Sequence, residues 1–145
     1  MDLVHCIHCS ASTSGAFSPS DLHVLLESCR TSNATRDVTG MLLHQSQSFF
    51  QVLEGDRSVV EALFEKIALG PRHTRVTRVI LEPISERAFA NWTMGYPRVS
   101  EKELAEIPGL NDFFVRPRSY LELGEGRAKT LLAAFKDGRW RMNLS

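Results

Sequence analysis

The chain has no excess of either charge: lysine and arginine number 17 together, and aspartate and glutamate also number 17. That balance removes any global electrostatic drive toward nucleic acid or an anionic membrane, and neither is expected as a partner. No apolar run approaches the roughly 20 residues that span a bilayer. The N-terminus lacks the basic, then apolar, then small-residue order of a signal peptide, so a cytoplasmic protein is expected. Cys6, Cys9 and Cys29 are too few for a disulfide framework. Tyrosine is scarce, with Tyr96 and Tyr120 the only two. Neither a Ser-His-Asp set, nor a phosphate loop, nor a dinucleotide glycine fingerprint is present, and the carboxylates offer no catalytic dyad; no enzyme activity is expected. What is present is 145 residues, 43% hydrophobic and 23% charged, enough for one domain with a small extension and a real core.

Hydrophobic periodicity divides the chain into short elements. Leu3 to Ile7 reads as a strand with Val4, Cys6 and His8 on one face. Ser10 to Phe17 reads as a loop of mostly small residues. Ser18 and Pro19 open a helix that runs to about Thr31, with Leu22, Leu25, Leu26 and Cys29 on its apolar face. Met41 to His44 and Phe49 to Leu53 are two strands joined by a polar turn, hence a hairpin. Asp56 caps a second helix whose apolar face is Val60, Leu63, Phe64 and Ile67, with Gly70-Pro71 ending it. Val76 to Leu81 is a fourth strand, and Trp92 to Tyr96 a short fifth. The order is the ferredoxin-like β-α-β-β-α-β pattern, an α+β fold, with an added fifth strand and a C-terminal helical extension. Pro97 divides residues 1–97 from a tail, 98–145. In that tail Ser100 and Glu103 form a possible capping box, and a helix spans Arg127 to Lys136. The tail is too short for a core of its own and is expected to pack on the sheet.

One amide in an apolar strand carries the functional question. Gln51 lies in Phe49-Phe50-Gln51-Val52-Leu53, and burying an amide without a partner costs on the order of 1–3 kcal/mol. It bonds either to neighbouring backbone or to a polar ligand. Asn33 reads as a left-handed residue at a helix C-terminus, a ligand contact, or both. His73, after Pro71-Arg72, is a surface histidine closing a turn or a ligand contact. Trp92 and Met94 suit a plain core equally well. Arg72, Arg75 and Arg78 read as a solvated face in preference to a phosphate site. Glu86-Arg87 reads as a local ion pair, and Glu54 as the end of a hairpin. His5-Cys6-Ile7-His8-Cys9 invites a metal reading, but Cys6 and Cys9 point to opposite faces of a strand, and no metal is expected.

Taken together, Asn33, Val38-Thr39-Gly40-Met41-Leu42, Phe49 to Gly55, Pro71-Arg72-His73 and Glu86 to Met94 resemble the BLUF family of blue-light sensors. The resemblance covers the first two thirds of the chain, and the tail is similar to that of short, stand-alone members. It implies a flavin, FAD or else FMN, lying between the two helices. It implies cofactor contacts from His8, Leu25, Asn33, Gln51, Ile67 and His73, with Leu25 and Ile67 sandwiching the ring. It implies that Gln51, Trp92 and Met94 carry the signal, that Trp92 and Met94 can exchange positions, and that output runs through an unknown downstream protein, with a homo-oligomer expected. The chain departs from the family most at His8, which stands where the family has a tyrosine that bonds the glutamine and supplies an electron and a proton; Ser32 also stands where relatives often carry another polar or amide residue. Asp37 stands where glycine is common, adding charge near the pocket entrance. Two functions follow as alternatives, a photoreceptor with atypical photochemistry or a degenerate, light-insensitive or flavin-free member acting as a constitutive protein-binding module.

Overall fold

Alternation along the strands sorts the core into two layers, one on each face of a single sheet. A computed structural model describes residues 2–12, 19–45, 48–69, 73–90, 92–95 and 124–136, apart from the side chains of residues 12, 19, 45, 73–75 and 134–136. The elements in order are β1 (Leu3–Ser12), α1 (Pro19–Arg36), β2 (Thr39–Gln45), β3 (Ser48–Asp56), α2 (Arg57–Leu69), β4 (His73–Pro83) and α3 (Glu125–Lys136). The sheet has the order β2-β3-β1-β4, antiparallel throughout. This is the ferredoxin-like arrangement, in which each helix returns the chain across the same face.

On that face Val4, Cys6, Leu42, Phe49 and Leu53 pack against Leu25 and Leu26 of α1 and Val60 and Leu63 of α2. On the other face Ile7, Cys9, Met41, Leu43, Phe50, Val52 and Ile80 pack against Ala128, Leu131 and Leu132 of α3. The C-terminal helix therefore covers the side of the sheet that α1 and α2 leave open. Lys129 on α3 adds an ion pair to Glu82 of β4, at 3.5 Å.

The four strands, α1 and α3 all run past the bounds read from sequence: β2 spans Thr39–Gln45, β3 spans Ser48–Asp56, and α3 begins at Glu125. β1 and β4 extend further, to Ser12 and from His73, because each supports the other: Ser12 pairs with His73. Helix α1 continues past Thr31 to Arg36. There Val38 N donates to the Asn33 carbonyl at 3.0 Å, and Asp37 takes the left-handed conformation with φ 56°. That six-residue closure is a Schellman end, so Asp37, not Asn33, is the left-handed residue. At the start of α2 the Asp56 carboxylate accepts from the Ser58 backbone N–H, the capping bond, and from Ser58 Oγ at 2.7 Å.

No fifth strand forms across residues 92–95. The backbone bends at Thr93 and Met94, just after a turn in which Trp92 N donates to the Phe89 carbonyl at 3.0 Å, so the segment does not run extended. The segment touches the β2 edge through one isolated parallel bridge, Met41 to Gly95. Gly95 is required there, because a Cβ would collide with the Trp92 ring folded over it. Tyr96, Gly70-Pro71 and the Ser100–Glu103 capping box lie outside the described residues.

Candidate functional site

The strand register aligns the chemistry in one row. Gln51 on β3 pairs with Leu42 on β2 and with His8 on β1, and His8 pairs in turn with Arg78 on β4. Gln51 alternates with Phe49 and Leu53, so its side chain faces α1 and α2, and it is 3% exposed. Its described hydrogen bond runs from Nε2 to the Met94 sulfur at 3.9 Å. A thioether is a weak acceptor for an amide that has left water. His8 is buried beside it and meets the Phe64 ring edge-on, with centroids 5.3 Å apart. Arg78, exposed, lies over the same ring at 5.7 Å.

Leu25 on α1 and Ile67 on α2 both belong to the apolar cluster above this row. Helix α2 lies close on β1, β3 and β4, whereas α1 stands farther from the strands. Asn33 is buried, and its Nδ2 donates to the Thr93 carbonyl at 2.6 Å. His73 sits at the start of β4, with its side chain outside the described residues, as are Arg72 and the side chain of Arg75. His8, Leu25, Asn33, Gln51, Ile67 and Met94 are thus gathered on the helix side of the sheet. Trp92 is not: it stacks on Phe89, 5.2 Å between centroids, against the cluster that α3 covers. Two residues apart, Met94 and Trp92 reach opposite faces around the β2 edge.

A second polar cluster on the α3 side was not foreseen from sequence. Glu54 is fully buried, and its carboxyl accepts from Thr39 Oγ1 at 2.9 Å, Ala88 N at 2.6 Å and Phe89 N at 3.0 Å. Arg87 donates to Thr39 Oγ1, to the Glu54 carbonyl and to the Asp37 carbonyl at 2.8 to 3.1 Å, and pairs with Asp37 Oδ2 at 3.3 Å. The expected local pair of Glu86 with Arg87 is replaced by this long-range one, which ties the end of α1 to the segment leading to Trp92. Asp37 is accordingly a partner of Arg87, and its charge is compensated. The signal in sequence was the alternation Phe50, Val52, Glu54, which puts a carboxyl on a buried face.

The titratable groups match their surroundings. Burial pushes the Cys6 and Cys9 thiols up to about 12, so neither is a thiolate at neutral pH. They also face opposite clusters, as strand alternation requires. Burial lowers the pKa of His44, which lies on Phe49. The hydrogen bond from His5, at 2.8 Å, draws the Glu82 carboxyl below its ordinary value.

The sequence pattern of the family described as "BLUF: Sensors of blue-light using FAD" matches residues 3–95. BLUF domains bind FAD or FMN, and Klebsiella pneumoniae BlrP1 has been solved with FMN. The β subunit of the photoactivated adenylate cyclase of Euglena gracilis is 38% identical over 93 residues, which are 63% of this chain and 11% of that protein. The chain therefore spans about a tenth of the length of the curated cyclase subunit it matches. Among solved structures, BlsA in its ground state superposes with a TM-score of 0.80 and 26% identity, over 92% of this chain and 87% of that one. BlrB in its dark state gives 0.67 and 31%, over 92% and 97%. Among the described residues, no helix is long and apolar enough to cross a membrane.

Proposed function

This chain belongs to the BLUF family of blue-light sensors using FAD, and from that premise we propose that it is a flavin-binding photoreceptor with atypical photochemistry and no enzyme activity of its own. The observation that carries the proposal is Gln51: a buried amide, directed between α1 and α2, with a thioether as its described partner. A flavin edge presents donors and acceptors together, which suits an amide that is both. Leu25 and Ile67 supply apolar walls, the usual lining of a small-molecule pocket with a few directed polar groups. Gln51 and Asn33 would orient the ring's polar edge, and His73 would lie near the ring or the sugar end of the cofactor. The bound flavin supplies a chromophore for blue light.

Gln51 is the two-state element. A carboxamide that turns over exchanges donor for acceptor, and its contact with Met94 changes with it. Met94 and Trp92 share one short segment, so a change on the helix side reaches Phe89 and the face that α3 covers. Output then runs through protein–protein contact, with a downstream partner or a second copy of the chain reading the altered surface.

His8 also favours a second reading, a light-insensitive or even flavin-free protein acting as a constitutive binding module, because imidazole is a much poorer electron donor than phenol. Illumination separates the two. Purified protein loaded with FAD is expected to show a reversible change in its flavin absorption that decays in the dark. A spectrum unaltered by illumination assigns the chain to the second reading.

A further inference from the structure

Arg30 on α1 is not among the residues that the family resemblance implies for the site, yet it holds the segment on which the proposed signal depends. Its Nε donates to the Met94 carbonyl at 3.0 Å, and its Nη1 reaches Glu27 Oε1 at 3.2 Å. Asn33, three residues on, holds the preceding carbonyl, that of Thr93. Two successive carbonyls of the segment are therefore gripped from the same helix.

The grip matters because the segment is not a strand. Three backbone bonds join it to the β2 edge: Gly40 N to the Trp92 carbonyl, Leu42 N to the Gly95 carbonyl, and Gly95 N to the Gly40 carbonyl, at 2.8 to 3.0 Å. A short edge attachment of this kind opens locally at small cost unless side chains anchor it. The anchored carbonyl and the sulfur that meets Gln51 belong to the same residue, Met94. A guanidinium that fixes the one limits the travel of the other.

We propose that Arg30 is a positioning residue that keeps Met94 against Gln51 and sets how readily residues 92–95 leave the β2 edge. The inference deepens the photoreceptor reading and rests on it for its biological meaning, but its test does not require flavin. Amide hydrogen exchange is measured by NMR on the full chain, with and without FAD, for the wild type, Arg30→Met, Arg30→Gln and Arg30→Lys. Losing a charge-assisted hydrogen bond is expected to speed exchange about tenfold at the Gly40, Leu42 and Gly95 amides in Arg30→Met. The Val52 amide in central β3 is expected to keep its wild-type rate. Arg30→Lys, which retains a charged donor, is expected to recover most of the protection, and Arg30→Gln, the gentler truncation, to fall between. Uniform acceleration that includes Val52 would show a merely structural role and overturn the proposal, as would unchanged exchange at the three edge amides. Selective acceleration in a protein that takes up no FAD would sustain the role of Arg30 while removing the photoreceptor reading.

Discussion

Replacing Glu54 by alanine is expected to destabilise the protein by about 3–5 kcal/mol, the range for removing one partner from a buried, fully bonded polar group. Three donors lose their acceptor together: the Thr39 hydroxyl and the Ala88 and Phe89 amides. Glu54 is wholly enclosed, and its bonds to Thr39 and Phe89 are buried with it, whereas the Ala88 amide is half-buried. Each orphaned buried donor costs roughly 1–3 kcal/mol, and partial relaxation of the 87–89 turn recovers some of the sum. Arg87 also loses the acceptors' alignment on which its own bonds to Thr39 and Asp37 depend. Glu54→Gln keeps the shape and one acceptor but turns an NH2 toward a donor, so a loss of about 1–3 kcal/mol is expected. Urea unfolding of both variants, with the slope checked against wild type, measures the losses. A midpoint for Glu54→Ala within experimental error of wild type would show that the cluster is not what holds the 84–95 segment.

His8→Tyr is expected to convert weak or altered light responses into a large reversible shift of the flavin band. Position 8 lies directly across from Gln51 in the register, and facing side chains on paired strands approach to about 5 Å. A phenol there donates a hydrogen bond to the amide and brings an oxidisable group that imidazole lacks. The site is tight: His8 is buried and already meets Phe64 edge-on. A larger ring is expected to cost about 1–3 kcal/mol by overpacking, which thermal unfolding will register separately from the spectrum. A folded, FAD-loaded His8→Tyr protein that shows no larger shift than wild type would mean that the remaining pocket residues, not position 8, govern the response.

Local rules carried the sheet and the two helices above it. Period-2 alternation grouped His8 with Val4 and Cys6 and separated Cys6 from Cys9, and capping chemistry located the start of α2 at Asp56. The expectations that failed are those set by distant partners. Residues 92–95 have strand composition, but the turn from Phe89 and the stacking of Trp92 override it. Helix α1 outlasts its apolar periodicity because Asp37 accepts a left-handed backbone that Arg87, 50 residues away, secures. Arg87 has a glutamate beside it in sequence, and no local pattern reveals that its carboxylate partner is Asp37. The candidate site divides in the same way: Gln51, Asn33 and Met94 were legible as types in a spaced pattern, whereas Arg30 was not, because its contact is with a backbone carbonyl.

The claim at the centre is that a flavin ring lies against the Gln51 amide between α1 and α2. The most direct measurement incubates wild type and Gln51→Leu with FAD, removes free flavin by gel filtration and compares the dark absorption spectra. Wild type is expected to emerge yellow, with the variant's flavin band displaced because a hydrogen-bonding amide has left the ring's edge. A colourless wild type, or two superimposable spectra, would contradict the account.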